Sequence, residues 1–380
     1  MTGTPRSAAV IGLGESTRLA HETFDLRDRI FRRLVERHGF RGLALQDSAG
    51  VGAALDGYVT DAVDAPATAQ AALDGAWGPW RIAETATALD WIRTFNREHP
   101  HEPVRIFGVK PAQAEPGTYD AVLAHVRHAA PHLLGDLAGH LEPIRTAHAI
   151  DEHVQRARGL YSGRPFAEHA REALAIVERL PEGAVREPDR LVSLMRLIVD
   201  FHERSVAGRQ TYAGDADTWA ATIINHQSRT GHRVAYWDGI AHTAATPVTL
   251  GLAPDRGPQP TVGSVLREHY GARYLSLAIG FHHGVLGSVK VPAPNPHWLD
   301  ARLAADLGAS PTRELDLRVA AHRRRYAGPA RARVISGVYD PARDEAEHLD
   351  VADLPAAFDI LHHVHEVTPT HPIGNGCSSR

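Results

Sequence analysis

The sequence predicts an α/β fold: a central, largely parallel β-sheet flanked by helices, with a helical subdomain inserted into it. Three observations carry this. Short apolar runs at 8–13, 40–45 and 104–109 each stop at polar or glycine-containing sequence, as strands buried on both faces do. Helical patterns separate them, so consecutive strands are joined by crossovers and run parallel. From 116 to 201 the pattern is helical, with no strand-like run in between. The expected boundaries are 1–115 and 206–380 for the sheet domain and 116–205 for the helical insertion.

In chain order, the run 8–13 ends at Gly12-Leu13-Gly14, where the backbone can turn sharply and approach another group closely. Ser16 and Thr17 offer helix caps. Phe24, Ile30, Phe31, Leu34 and Val35 then recur at helical spacing, and Asp25/Arg29 and Asp28/Arg32 form four-apart pairs on the wet side. His38 and Gly39 supply a stop. After the second strand, 49–63 reads as a helix and 61–68 as a polar link. Trp77-Gly-Pro-Trp-Arg begins another helix, with Trp80, Leu89, Trp91, Ile92 and Phe95 as its apolar positions. Within the insertion the segments 119–130, 133–160, 166–180 and 189–201 read as helices, punctuated by Gly159, Gly163-Arg-Pro and Pro181-Glu-Gly. A helix at 218–230, strands at 233–237 and 274–281, a short strand at 334–339 and a final strand over 358–367 complete the chain.

Composition excludes several classes. The net charge of −4 gives no basic surface for nucleic acid or anionic membrane. The single cysteine, Cys377, rules out a disulfide framework or a cysteine-rich zinc site. No apolar run approaches the ~18 residues of a membrane span, and the amino terminus carries no long apolar signal segment. The expectation is a cytoplasmic protein that binds a small molecule and uses no cofactor. Histidine is frequent, with 25 in all, so behaviour between pH 5 and 8 should be sensitive.

The polar residues cluster at strand ends: Glu15, Arg18, His21 and Glu22 after the first strand, Gln46 and Asp47 after the second, Lys110 after the third, Asp238 and His242 after the strand at 233–237, and His282 and His283 after the one at 274–281. Open parallel sheets place their ligand crevice at that edge. Glu15, His21 and His242 are the candidate proton-moving groups. Arg18 and His21 lie three apart, so one turn of helix would set them on one face. The candidate substrate-binding set is Arg18, Gln46, Asp47, Arg81, Lys110, Asp238, His282, His283 and Glu366. Each of these also has a plainer reading as an internal ion pair or hydrogen bond. His363 and His365 share a strand face, but no third converging ligand can be named, so no metal is expected.

Gly-Leu-Gly-Glu-Ser-Thr-Arg-Leu-Ala-His-Glu (12–22), followed by Leu-Arg-Asp-Arg-Ile-Phe-Arg-Arg-Leu-Val (26–35), resembles the opening motif of the erythromycin esterase family. Trp80-Arg81-x-x-Glu84, the 261–270 helix and Glu366-Val-Thr-Pro-Thr370 resemble later motifs in the same order, so the resemblance spans about 8–373. It implies an α/β sheet with a helical cap and a metal-independent hydrolase that opens macrolactone esters. In that family the motif histidine is the proposed base for a water, and a glutamate ends the next strand. Here those positions are Arg18 and Gln46. Gly239 and Ile240 replace a histidine and an asparagine, while His242 matches the family's second histidine. Lys110 and His365 replace aspartates.

Arginine stays protonated at any working pH and glutamine carries no titrating proton, so neither replaces a base. The changes at Arg18, Gln46 and Lys110 all make the cleft more positive. The expected function is an erythromycin-esterase-like enzyme with an altered site, acting on a small, anionic, natural-product-like substrate by hydrolysis, elimination or cyclisation in secondary metabolism. The alternatives are a non-catalytic sequestering protein and a conventional macrolide esterase using His242.

Overall fold

The first apolar run forms β1 (Val10–Glu15) in a computed structural model of the chain, which describes residues 7–110, 114–180, 188–206, 211–307, 311–337 and 339–373. β2 (Phe40–Ser48) and β3 (Arg105–Lys110) follow, then β4 (Arg233–Gly239), β5 (Thr249–Leu250), β6 (Tyr274–Leu286) and β7 (Val289–Val291). β8 (Thr312–Asp316), β9 (Ala330–Arg333), β10 (His348–Val351) and β11 (Ile360–Val367) complete the set. The main sheet has the order β3-β2-β4-β1-β6-β11-β8, with β7 paired to β6. Every pair from β3 to β11 is parallel, while β8 and β7 add antiparallel edges. β5, β10 and β9 make a separate antiparallel sheet.

β1 lies in the middle and is buried throughout, which explains its unbroken apolar character. A side chain at Gly14 would overlap Thr243 and stand 2.9 Å from the Ile240 backbone, so glycine there lets the short helix Ile240–Thr243 press against the strand. Helix His21–His38 follows β1 and buries Phe24, Leu26, Ile30, Phe31, Leu34 and Val35. Each such side chain contributes roughly 1.5–3 kcal/mol. It ends at Gly39, whose φ of 66° is the left-handed conformation of a helix stop.

Contacts divide the chain into two compact units: Met1–Asp74, Pro79–Lys110 and Tyr212–Arg380 in one, Gly75–Gly78 and Pro111–Thr211 in the other. The first holds both sheets. The second is helical. Its core comes from the apolar stripes of helices Pro116–Ala129, Leu134–Arg145, Phe166–Glu178 and Pro188–Val206, including Tyr119, Val122, Leu141, Phe166, Leu191, Met195 and Ile198. Among the described residues no helix is long and apolar enough to cross a membrane.

Several expected elements differ. The helix at 133–160 is broken into Leu134–Arg145 and Glu152–Ala157. Pro143 lies inside the first piece, and a proline removes a backbone donor, so the chain tightens into a 3₁₀ turn at Thr146–His148. The helix at 49–63 ends at Val59. The strand at 334–339 lies earlier, at β9, and Ile335 makes only an isolated bridge to Thr17. His282 and His283 lie inside β6 rather than after it, because that strand runs on to Leu286. Neither Ser16 nor Thr17 caps the first helix, whose N-cap is Ala20. Arg18 therefore precedes the helix that His21 begins, and the two do not share a helical face.

Candidate active site at the carboxyl edge of the parallel strands

The strand order sets the site. β1 and β4 pair with Gly14 opposite Asp238 and Glu15 opposite Gly239. β2 and β3 end with Ser48 opposite Lys110. Glu15, Gln46, Asp47, Lys110 and Asp238 therefore gather at one edge, as the topology of parallel strands requires.

Arg18 is the hub. Its Nη2 donates to the Gln46 side-chain oxygen and, at 2.5 Å, to Asp238 Oδ1, while its Nε lies 3.6 Å from Glu15 Oε1. Asp238 is fully buried and also accepts from the Gly239 backbone N–H at 2.6 Å and from the Tyr236 hydroxyl. Glu15, itself buried, makes its closest ion pair with Arg27. The Arg27 guanidinium lies 4.6 Å from the Trp237 ring centroid, 4.8 Å from Phe24 and 5.1 Å from Trp80. Burial pulls the Arg27 pKa down to about 9, against the pull of Asp238 and Asp28, so it is still a cation at neutral pH. Glu15 is thus an acceptor held between two arginines.

Gly239 has a steric role. A Cβ there would stand 3.4 Å from both terminal nitrogens of Arg18. A larger side chain would crowd the guanidinium, so glycine at 239 leaves the room that Arg18 occupies.

Gln46 links this hub to His242. Arginine carries only donors, so the Gln46 oxygen faces Arg18 and its NH₂ faces outward, 3.4 Å from His242 Nε2. Nε2 must then accept, which puts the imidazole proton on Nδ1. Desolvation lowers the His242 pKa, Asp238 opposes this, and Arg18 and Lys110 add to the lowering. The ring packs on Trp219 with centroids 5.2 Å apart, and Lys110 Nζ lies 5.5 Å from the same indole. The result is a neutral imidazole beside two cations. A neutral imidazole can take a proton from water.

The other expected site residues have other described partners. Asp47 Oδ1 accepts from the Ser48 N–H at 2.7 Å, and Ser48 caps helix Ala49–Val59. The Arg81 carbonyl accepts from Ile373 N–H at 2.9 Å. His21 leaves the hub: its Nδ1 lies 2.8 Å from Glu84 Oε1, which His371 Nδ1 also approaches at 2.8 Å. Burial raises the Glu84 pKa, but the hydrogen bonds from His21 and His371 outweigh it and hold it below its ordinary value. Glu22 binds the Thr368 N–H and hydroxyl, each at 2.7 Å. His282 and His283 meet at 2.9 Å between Nδ1 atoms, and His282 stacks on His365 at 5.3 Å. Glu366 is exposed, opposite His283 in the β6–β11 ladder.

Sequence reasoning missed Arg27, Tyr236, Trp219 and His371. Arg27 did leave a signal: it sits three, four and seven positions before Ile30, Phe31 and Leu34, a charge on an apolar stripe. His371 left none, because its partners are distant in the chain.

Comparison with known proteins agrees with this architecture. A Bacillus cereus protein of known crystal structure superposes with a TM-score of 0.63 at 20% identity, covering 97% of this chain and 91% of its own. A succinoglycan biosynthesis protein gives 0.62 at 17% identity, covering 97% and 90%. A histidine-to-asparagine variant of an erythromycin esterase, in its open conformation, gives 0.57 at 14% identity, covering 98% and 93%. No curated protein sequence matches the chain significantly. The sequence profile described as erythromycin esterase matches residues 35–367, which supports a hydrolase-type enzyme. With most of its length matched, this chain belongs to the erythromycin esterase family.

Proposed function

We propose that the chain hydrolyses a carboxylic ester of a small, natural-product-like molecule, with His242 as the base. The observation that carries this is the contact chain Arg18–Gln46–His242, which sets Nε2 of a neutral imidazole beside the strand ends. In this reading a water replaces the long Gln46 NH₂ contact at Nε2, which takes the water's proton as its oxygen attacks the ester carbonyl. The carbonyl oxygen becomes an oxyanion, and Lys110, whose Nζ lies 5.5 Å from the Trp219 ring that His242 also packs on, meets that charge. Collapse expels the alcohol, which receives the proton back from His242. Arg18 and Lys110 are cations at positions where the family resemblance implies a histidine and an aspartate. This favours an ester that carries an anionic group and disfavours the usual macrolactone chemistry.

Purified full-length protein assayed on paired aryl esters, with and without a carboxylate, tests this. The carboxylate-bearing ester should turn over faster, and His242→Asn should lower kcat/KM by about 10²–10⁴. Erythromycin ring opening, followed by mass spectrometry, should be slower than either. An unchanged rate in His242→Asn would remove the base assigned here. A second reading, a non-catalytic binder, is favoured by the way Arg18 closes on Asp238 and Glu15. It predicts no turnover of any ester in the panel.

A further inference from the structure

His21, Glu84 and His371 come from three distant parts of the chain and converge on one point. His21 is the first residue of helix His21–His38, and Glu84 lies in the first turn of helix Ala83–Glu98. His371 follows β11 on a terminal strap that is pinned from both sides. Thr370 N–H donates to Leu19 O at 3.1 Å, Ala83 N–H to His371 O at 2.8 Å, and Ile373 N–H to Arg81 O at 2.9 Å. Among the described residues this is the one group of three or more histidine, cysteine and acidic side chains whose ligand atoms all lie within 4.8 Å of one another. The cluster at His282, His283 and His365 is richer in imidazole but does not converge in this way.

From this geometry we propose that His21 Nδ1, His371 Nδ1 and Glu84 Oε1 bind a first-row divalent cation, best fitted by Zn²⁺, outside the hydrolytic centre. Two imidazole nitrogens and one carboxylate oxygen are the donor set such an ion prefers. Metal–ligand bonds of ~2.0–2.2 Å need ligand atoms roughly 3.4 Å apart, so the two 2.8 Å contacts open by about half an ångström when the ion enters. The supports are in place. Glu84 is only 7% exposed in its side chain, and its oxygens also accept from the His371 backbone N–H at 3.2 Å, which aims the carboxylate. His21 and His371 are 40% and 70% exposed, so an ion has a way in. The three groups border a groove of about 340 Å³ with Asp28, Arg29 and Arg32. The ion's remaining coordination position faces that groove and holds water. Its structural effect is to fasten the terminal strap to the first turns of two helices.

The test is metal binding by full-length protein stripped with chelator. Equilibrium dialysis against Zn²⁺ should give one tight equivalent, and Co²⁺ should give the visible ligand-field bands of a four-coordinate ion. Zn²⁺ should also raise the melting temperature, since it binds only the folded arrangement. Glu84→Gln and His371→Ala should each weaken binding by at least about 10–100-fold, the loss that follows when even a ligand's supporting hydrogen bond is removed, and should abolish the Co²⁺ bands. His371 is exposed enough that its alanine variant folds, so a folding failure in Glu84→Gln leaves the result readable. Zn²⁺ uptake that is unchanged in His371→Ala, or weak binding spread over several equivalents, would overturn the proposal. None of these readouts depends on ester turnover, so the site and the hydrolase reading fail separately.

Discussion

Two histidine environments in this protein differ in how their charges are matched. Around Arg18, both arginines meet carboxylates: Arg18 has Asp238 and Glu15, and Arg27 has Glu15. The histidine there, His242, faces the neutral Gln46 amide, and desolvation lowers its pKa. Around Glu84, two imidazoles share one carboxylate beside an open groove. The same side chain is thus prepared as a base in one place and as a ligand in the other. What decides is the partner offered to its ring nitrogens and how much water is removed from them.

The largest effect should come from breaking the matched side of this comparison. Glu15→Ala leaves Arg27 as a buried cation among aromatic rings without its closest carboxylate. Removing one partner of such a pair costs about 3–5 kcal/mol. Urea unfolding of the variant measures this. Glu84→Ala removes hydrogen bonds to two half-open histidines and should cost about 1–2 kcal/mol. Equal losses in the two variants would show that the Arg18 centre is no more charge-matched than the other.

Acid sharpens the comparison, because desolvation acts on other histidines as it does on His242. Desolvation, with His148 and His169 nearby, lowers the His202 pKa to about 3. Desolvation, with His282 and His365 nearby, lowers that of His363 to about 4. Below about 6.5 the unfolded chain protonates these groups while the folded chain does not, so acid favours unfolding. Each contributes a loss of roughly 1.4 kcal/mol per pH unit inside its window. Stability measured by urea should therefore fall steadily from about pH 6.5 towards 4. A flat profile over that range would mean these imidazoles are solvated or already paired in the fold.

The sheet was legible because its central strands announce themselves. β1, β2, β3, β4 and β6 are largely apolar runs, and a run buried on both faces has few alternatives, whereas β11, with three histidines and a glutamate, was placed through the family resemblance of its motif. β7 to β10 were missed or displaced. Ala330-Arg-Ala-Arg333 and Thr312-Arg-Glu-Leu-Asp316 are short and charged, and become strands only through partners far along the chain. The gathering of Glu15, Gln46, Lys110 and Asp238 at one edge followed from strand direction alone. Which of them Arg18 would take did not, since β1 lies between β4 and β6 and that order is not written locally. His21 was expected beside Arg18 because both were read on one helix. The helix begins only at His21, and Ala20 precedes it in extended conformation. That single turn of offset sends one residue to Asp238 and the other to Glu84.

The proposed base rests on one protonation state: His242 as a neutral imidazole with its proton on Nδ1 and Nε2 turned to Gln46. Nitrogen NMR of the histidine side chains, assigned by comparison with His242→Asn and followed from about pH 4 to 8, reads this directly and needs no substrate. The account predicts that His242 is the Nδ1–H tautomer at neutral pH and titrates below the ordinary 6.5. A His242 that titrates at or above 6.5, or that carries its proton on Nε2, would contradict it.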